Sequence, residues 1–304
     1  MIEKTDLQIH STYSDGSFTP TELFQIAKKQ RVKILAITDH DTVAGIPEAC
    51  QAVKKTNTIF IPGIELTVTY KQDELHILGY GIDAKNPALL KATQFYKKSR
   101  IVRIKKMISR LQNLGYQVSF AQIQKRARGS IARPHLADQA IKNQKNQALL
   151  KKVFGKIPDR STFIRKYLIK GKPAYAKKQN LSIREGIRVI HKAGGLAFIS
   201  HPLGRRYSVD ISLGVFSNWR SILAGFKKIG LDGLEVYSSD QFIRDQRNLF
   251  QFARKNGFLM SGGSDFHNLE IPGLPLGYIT KTRKIPFSVG KNLLKKVHFF
   301  GKMV

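Results

Sequence analysis

Cysteine is almost absent from this chain of 304 residues, in which Cys50 stands alone. A single thiol excludes an internal disulfide framework and is typical of a reducing compartment, so we expect a cytoplasmic protein. The sequence also lacks any run of about 18 apolar residues, which excludes a membrane-spanning helix, and its first residues show no secretory signal pattern. Hydrophobic residues nevertheless make up 42% of the chain, which is enough for the core of one large α/β domain.

Acidic residues are scarce as well. The chain has 21 Asp and Glu and 52 Lys and Arg, which gives a net charge of +31. The excess is concentrated between residues 85 and 178, where 25 basic residues accompany only Asp138 and Asp159. Such a charge opposes compact folding by self-repulsion and favours a polyanionic partner, either nucleic acid or a phosphorylated substrate. The alternative is a general drift of the composition towards lysine. The sequence indicates no membrane association and no obligate protein partner.

The hydrophobic pattern divides the chain into two kinds of segment. Short apolar strands alternate with amphipathic helices in residues 1–84 and 179–304, which is typical of an α/β barrel. Between them, the pattern is helical only, with helices expected near residues 88–114, 120–128, 134–143 and 160–169. We therefore predict that residues 85–178 form a basic helical insertion in the barrel.

Side chains able to bind a metal accompany six of the predicted strands. Five strands end in His, Asp or Glu or are followed directly by one, and a sixth carries a central histidine; the residues are His10, Asp15, His40, Glu65, His76, His201, Asp265 and His267. Strands joined by helices run parallel, and functional residues gather at the carboxyl ends of parallel strands, so we expect these side chains to converge. Taken alone, Glu65 could be a solvated strand end, and a lone histidine such as His76 is more often a satisfied core residue.

Eight nitrogen and oxygen ligands are too many for one ion, so the sequence predicts two or three divalent ions close together. Imidazole and carboxylate without thiolate suit Mn²⁺, Fe²⁺ or Zn²⁺. We take Mn²⁺ as the first choice, with Fe²⁺, Zn²⁺ and Mg²⁺ as alternatives. Such clusters hydrolyse phosphoesters, because the ions lower the pKa of a bridging water and neutralise charge on the phosphate.

Read in order, these motifs resemble the PHP family, named for polymerase and histidinol phosphatase. The matching segments are Asp-Leu-x-x-His-Ser-x-x-Ser-Asp-Gly from residue 6, Ile-Thr-Asp-His-Asp from residue 37, Gly-Ile-Glu from residue 63, His-Ile-Leu-Gly-Tyr from residue 76, His-Pro from residue 201 and Gly-Gly-Ser-Asp-Phe-His from residue 262. The resemblance implies a distorted (β/α)7 barrel with a trinuclear metal site held by the eight residues above. It also implies catalytic roles for His10, Asp15, His40 and Asp265.

The first motif departs from the family pattern at one position. The family has His-x-His, and this chain has Gln8 where the first histidine belongs. Gln8 and His10 lie two apart on a strand and share a face, so we expect the Gln8 amide oxygen to reach the metals. A neutral amide oxygen is a poorer ligand than imidazole. We therefore expect one ion to be held more weakly than in a chain with the family histidine.

The helical insertion resembles one subgroup of the family. Its members remove the 5′-phosphate of nucleoside 3′,5′-bisphosphates or degrade short RNA from the 5′ end. In that subgroup, arginines and a Gly/Ala-Arg-Pro-His segment hold the substrate phosphate, and Arg100, Arg133 and His135 match these positions. Pro134 places this segment at a helix start, where free backbone N–H groups bind phosphate.

Two other functions stay open at this point. One is a histidinol-phosphate phosphatase, which the basic charge disfavours because histidinol is itself a cation. The other is an RNA-binding protein on a weakened PHP barrel, which only Gln8 supports. Buried acids and imidazoles without a metal would destabilise such a barrel, so the ligand set favours the enzyme.

Overall fold

The computed structural model describes residues 3–126, 130–204, 213, 218–268 and 273–301. Within these ranges the chain forms an α/β fold around one sheet, whose strands are β1 (Lys4–Ile9), β2 (Val32–Ile37), β3 (Ile59–Tyr70), β4 (Asp73–Tyr80), β5 (Leu181–Ser182), β6 (Leu196–Ile199), β7 (Gly233–Ser238) and β8 (Leu259–Gly263). Seven of them follow one another in the order β1-β2-β3-β4-β6-β7-β8, and β5 pairs only with β3.

Backbone hydrogen bonds bring the two ends of the sheet together. The Asp265 N–H donates to the Gln8 carbonyl at 3.0 Å, and the His10 N–H donates to the Phe266 carbonyl at 2.9 Å. The segment after β8 therefore lies against β1, and the seven strands make a nearly closed barrel. The expected distorted (β/α)7 architecture is confirmed.

The expectation that all site-bearing strands run parallel is wrong for β4. This strand is antiparallel to both β3 and β6. Only Lys71 and Gln72 separate β3 from β4, which is too short for the crossover that a parallel pair needs. His76 consequently reaches the site from the middle of an inverted strand, opposite Thr67 of β3.

The sequence pattern predicts a strand end at Glu65, whereas β3 continues to Tyr70. Its second half pairs with β4 residue by residue from Gly63 to Tyr70. Glu65 therefore lies inside a strand, not at its end as predicted, because the hairpin partner supplies hydrogen bonds beyond the point where β2 stops. Glu65 is fully buried.

Helices cover the outside of the barrel and build the region between β4 and β5. The α-helices within the described ranges are α1 (Pro20–Gln30), α2 (Ile46–Val53), α3 (Pro87–Asn113), α4 (Phe120–Arg126), α5 (Arg133–Lys142), α6 (Gln147–Phe154), α7 (Arg160–Tyr167), α8 (Ile183–Lys192), α9 (Trp219–Lys228), α10 (Ile243–Lys255) and α11 (Phe287–Leu294). The helix predicted near 120–128 is α4; residues 127 and 128 lie outside the described ranges. None of the described helices is long and apolar enough to cross a membrane.

Two helices were missing from the sequence expectations. These are α6 and α11. Val289 and Leu293 of α11 pack in one apolar cluster with Leu7 and Ile34 of the barrel. A short helix containing Gly290 has little intrinsic helical signal, so this tertiary packing stabilises it.

Helix α3 connects two apolar cores. Near its start, Leu89 and Tyr96 belong to the core between the sheet and the outer helices. Further along, Met107 and Leu111 belong to a second core, made within residues 104–176. All regular elements described between residues 85 and 178 are helical. The long helix thus holds the second core beside the barrel.

Candidate metal centre

The turn between β1 and α1 is held by a carboxylate from the neighbouring strand. Asp39 follows β2 and accepts hydrogen bonds from the Ser11 N–H at 2.7 Å, the Ser11 hydroxyl at 2.6 Å and the Ser14 hydroxyl at 2.7 Å. These contacts fix the turn that carries Asp15. Asp39 therefore stabilises this turn and is not a predicted ligand, although it directly precedes His40 in the sequence.

Among the described residues, three overlapping groups of His, Asp and Glu have ligand atoms within 4.8 Å of one another. The groups are His10, Asp15, His40 and His267; then His40, Glu65 and His76; then His10, Glu65 and Asp265. His10, His40 and Glu65 each belong to two groups, so neighbouring metal positions would share ligands. His201 lies beside them, with Nε2 3.5 Å from Glu65 Oε1. The predicted ligands thus converge at one end of the barrel, in an arrangement suited to a multinuclear centre.

Several ligand atoms approach each other without forming hydrogen bonds, as expected of atoms directed at a shared ion. His76 Nδ1 lies 2.8 Å from Glu65 Oε1, and His40 Nδ1 lies 3.5 Å from Glu65 Oε2. The two Nδ1 atoms and Glu65 Oε1 are buried and have no hydrogen-bond partner among the described residues. Buried polar atoms without partners are rare in native proteins. The donor set and its orphaned atoms therefore fit divalent ions.

Burial and mutual charge set the protonation of these side chains. Burial disfavours the charged form of His40 and lowers its pKa to about 3. Burial acts in the opposite sense on Glu65, but the surrounding histidines outweigh it and hold the pKa of Glu65 well below its usual range. Neutral imidazole and ionised carboxylate are the forms that bind metal. The directions of both pKa shifts therefore favour the protonation states that bind metal.

Gln8 reaches the site, but its amide nitrogen faces the carboxylate. The Gln8 Nε2 donates to Glu65 Oε2 at 3.2 Å and to the Ser200 hydroxyl at 3.0 Å. Its Oε1 is buried without a hydrogen-bond partner among the described residues. In this orientation Gln8 holds Glu65 in place, and metal ligation by its oxygen stays a prediction.

Strained backbone is concentrated at the site. Asp41, His201 and Asp265 have φ angles of 56°, 26° and 54°, in the left-handed region that non-glycine residues seldom adopt. Such strain persists where surrounding contacts over-determine a conformation. For His201 one such contact is its backbone N–H, which donates to the buried Glu235 at 2.8 Å.

A cavity of about 280 Å³ joins the ligand cluster to helices α3, α5 and α7. Its lining includes six of the predicted metal ligands, Asp15, His40, His76, His201, Asp265 and His267. It also includes six basic side chains, those of Arg100, Arg103, Arg133, Arg160, Arg165 and Lys178. A metal-ligand cluster and a basic wall thus meet in one space.

Arg100, predicted to hold the substrate phosphate, lines this cavity but is already engaged by a carboxylate. Its Nε and Nη2 donate to Asp41 Oδ2 at 2.8 and 2.5 Å. The Lys178 Nζ donates to the same oxygen at 2.5 Å. Arg100 and Lys178 together hold the pKa of Asp41 well below its usual range against the opposing effect of burial. Asp41 therefore fixes two cations at the cavity wall.

Arg133 and His135 stand at the start of α5, as predicted. Arg133 lines the cavity together with Ala132 and Pro134. The His135 Nδ1 accepts a hydrogen bond from the Ala132 N–H at 3.1 Å. His135 therefore caps the helix start, and the phosphate-binding roles of Arg133 and His135 stay predictions.

Sequence reasoning missed Asp41, Arg103, Arg160, Arg165 and Lys178. Arg103 carried a usable signal, because it follows Arg100 by three positions and must share its helix face. Lys178 carried none, since it is one basic residue among many. Its position beside Asp41 depends on the return of the chain from the helical region to the barrel.

The sequence profile of the PHP domain matches residues 6–195 of this chain. A 5′-3′ exoribonuclease of Haemophilus influenzae is 33% identical over 295 residues, which cover 96% of this chain and 95% of that protein. A 3′,5′-nucleoside bisphosphate phosphatase of Chromobacterium violaceum is 32% identical over 264 residues, covering 86% of each. The structure of an amidohydrolase from Chromobacterium violaceum, with bound sulfate and no metal, superposes with a TM-score of 0.77 at 30% identity and covers 95% of this chain and 96% of that one.

Proposed function

Because this chain belongs to the PHP domain family, we propose that it is a metal-dependent phosphoesterase that releases the 5′-phosphate of nucleoside 3′,5′-bisphosphates or degrades short RNA from its 5′ end. The observation that carries the proposal is the cavity where the metal-ligand cluster meets six basic side chains. The similarity to a bisphosphate phosphatase and an exoribonuclease over most of the chain supports it.

Two or three divalent ions, Mn²⁺ first, would be held by His10, Asp15, His40, Glu65, His76, His201, Asp265 and His267, with Gln8 beside them. Once bound, they would supply an activated water and neutralise phosphate charge. Six of the side chains that would hold them line the cavity together with the basic residues, so a phosphoester that enters from the basic side would meet them.

The basic wall would bind and orient the substrate. Charge-assisted hydrogen bonds from arginine hold phosphate strongly and with defined geometry. Arg133 lines the cavity next to the α5 start, where the helix dipole also favours an anion. We infer that residues 85–178 act as an insertion whose role is to bring this wall over the barrel, and that its surplus charge gathers the polyanion.

The wall also distinguishes this proposal from a histidinol-phosphate phosphatase. Six basic side chains around the cavity would repel the ammonium and imidazolium groups of histidinol. A nucleotide has no such cation and carries further negative charge. The cytoplasmic location expected from the single cysteine stays a prediction.

The experiment compares phosphate release from adenosine 3′,5′-bisphosphate, 5′-phosphorylated RNA oligomers and histidinol phosphate. We expect chelation to abolish release from the first two and to lower Tm, and Mn²⁺ to restore both, since a metal that binds only the folded state stabilises it by mass action. His40→Gln should abolish release, whereas His191→Gln, a matched change at a half-exposed histidine paired with Asp232, should not. RNA binding without release of any phosphate at saturating Mn²⁺ would replace the enzyme by an RNA-binding protein.

A further inference from the structure

A second basic groove lies at the end of the barrel opposite the candidate metal centre, and we call it the rear groove. It has a volume of about 700 Å³ and lies where β2 and β3 begin and where α1 and α2 end. Glu3 is the one acidic residue described in its lining, against five basic side chains, those of Lys28, Arg31, Lys33, Lys54 and Lys55. The predicted metal ligands follow the carboxyl ends of β1 and β2, so the length of β1 separates the two sites by roughly 20 Å.

The charge of the rear groove is a local concentration within an acidic segment. Residues 1–84 contain 8 Lys and Arg and 11 Asp and Glu, yet five of the 8 basic residues line this groove. Within the described part of the chain, no ion pair joins Lys28, Lys33, Lys54 or Lys55 to an acidic side chain. Cations that are crowded together without acidic partners attract a polyanion. A general drift of the composition towards lysine does not explain this placement.

Helix dipoles explain only part of the arrangement. Lys28 lies in the last turn of α1, and Lys54 follows the end of α2, where a cation is favoured. Lys33 lies in β2, where no helix dipole acts on it. Three other lysines end helices without lining the rear groove, and these are Lys192 of α8, Lys228 of α9 and Lys255 of α10. They form a matched reference set for the effect of helix-end charge alone.

A partly exposed aromatic ring borders the rear groove. Phe300 is 37% exposed, and two backbone hydrogen bonds of 2.7 Å with Phe60 hold it beside β3. Its ring also stacks on the buried Phe60 ring, with the centroids 6.4 Å apart and the planes at 24°. The next residue, Gly301, lies against the backbone of Thr58, since a Cβ at Gly301 would be 2.9 Å from the Thr58 carbonyl oxygen, and Thr58 lines the groove. A positioned aromatic ring therefore stands next to the cluster of cations.

From this juxtaposition we propose that the rear groove binds single-stranded RNA, with its lysines on the phosphates and Phe300 stacked on a base. A positively charged groove combined with exposed aromatic side chains suits single strands, because cations follow the backbone and every base has a face that can stack. The surface goes beyond the proposed function, since a mononucleotide at the metal centre would not contact it. Binding there needs no metal.

The test measures binding of a short single-stranded RNA with a 5′-hydroxyl group by fluorescence anisotropy, with EDTA present so that no metal contributes. The triple variant Lys28→Gln, Lys54→Gln, Lys55→Gln changes exposed side chains only. It should bind RNA more weakly and reduce the slope of log affinity against log salt by about 2, since each phosphate contact contributes about 0.7. The control triple variant Lys192→Gln, Lys228→Gln, Lys255→Gln removes the same charge from exposed helix ends and should leave the slope within about 0.5 of the wild type.

The aromatic contribution is tested separately with Phe300→Leu, which keeps an apolar side chain over Phe60. Because this variant removes stacking and no charge, it should weaken binding of single-stranded RNA by roughly fivefold or more and leave the salt slope unchanged. Duplex RNA of the same length should bind Phe300→Leu as it binds the wild type, since its bases already stack on one another.

Equal losses in the two triple variants would overturn the proposal and return these lysines to general surface charge. Unchanged binding of single-stranded RNA by Phe300→Leu would also overturn it, and would leave a polyanion surface without preference for single strands. Release of phosphate from adenosine 3′,5′-bisphosphate with Mn²⁺ should be the same in all these variants. If the wild type releases none, the proposed function fails, while the binding comparison still decides whether the rear groove holds RNA.

Discussion

Removing the charge of Asp41 should destabilise the protein strongly, because this one carboxylate is the shared partner of two buried cations. Asp41 Oδ2 accepts from Arg100 and from Lys178, and Oδ1 accepts from the Thr67 backbone N–H at 2.7 Å. The carboxylate is fully buried, and the side chains of Arg100 and Lys178 are 10% and 1% exposed. Asp41→Asn keeps the shape of the side chain but leaves two cations without their shared anion.

The expected loss follows from this burial. Breaking a buried ion pair by removing one partner costs about 3–5 kcal/mol, because the remaining charge stays buried and uncompensated. For a chain of this size, about 2 °C of Tm corresponds to 1 kcal/mol, so we expect Asp41→Asn to lower Tm by roughly 6–10 °C. The double variant Asp41→Asn, Lys178→Met should regain part of the loss, because it removes one of the stranded charges.

The deficit should also depend on pH. Burial, and then repulsion from Arg100, lower the pKa of Lys178 to about 7, and Asp41 opposes this shift. Lysine is protonated in the unfolded chain up to its usual pKa of about 10.4. A lysine whose folded pKa is lowered loses its proton on folding, so stability rises with pH above that folded pKa. Without Asp41 the pKa of Lys178 falls further, so the stability of the variant already rises with pH below about pH 7. In that range the stability of the wild type does not depend on the titration of Lys178. We therefore expect a larger deficit near pH 5 than near pH 8.

Thermal and denaturant unfolding at both pH values measures this effect, with Asp138→Asn as the control. Asp138 also binds an arginine in a bidentate pair, with Arg160 at 2.7 and 2.6 Å, but the two side chains are 27% and 31% exposed. A partly solvated pair contributes about 0–1 kcal/mol. A loss in Asp41→Asn no greater than that in Asp138→Asn, or a loss independent of pH, would refute the argument from burial.

Two further substitutions test the barrel closure and the altered metal ligand. Gly263→Ala places a Cβ 2.3 Å from the Gln8 Cβ and 2.6 Å from the Gln8 backbone N, so it should push β8 from β1 and lower Tm by several degrees. The control Gly225→Ala lies in α9 with nothing within 4 Å of the new Cβ and should stabilise the protein by about 0.5–1 kcal/mol. A higher Tm for Gly263→Ala than for Gly225→Ala would contradict the contacts that close the barrel. Gln8→His should tighten Mn²⁺ binding by roughly 10–100-fold in calorimetric titration, because imidazole is the stronger ligand. Unchanged or weaker binding would mean that the hydrogen bonds of Gln8 to Glu65 and Ser200 contribute more to metal affinity than a new imidazole ligand does.

The side chains of the candidate metal cluster could be predicted from the sequence because their signals are local. An apolar strand followed at once by His40 or by Asp265 is unusual in itself, since ionisable groups at that position are costly unless paired or metal-bound. The direction of β4 was predicted wrongly, yet His76 still reached the cluster. An inverted strand alternates its side chains with the same period, so the face of His76 depended on the pairing register and not on the strand direction.

The basic side chains that line the cavity could not be predicted to the same extent, because the sequence does not show which of them has an acidic partner in the fold. Arg100 and Arg103 are alike by spacing and differ only through their partners. Asp41 lies 59 residues before Arg100 and 137 before Lys178, and only the fold brings the three together. The amide of Gln8 illustrates the same limit, since its orientation depends on Ser200, 192 residues away.

Asp41 connects the candidate metal cluster to the basic side chains that line the cavity. His40 belongs to the metal cluster, and the next residue, Asp41, holds Arg100 and Lys178. Asp41 has a φ of 56°, and its carboxylate accepts hydrogen bonds from α3 through Arg100. A movement of Arg100 or Lys178 would therefore be transmitted to His40 through one peptide bond, which couples the basic side chains to the candidate metal ligands.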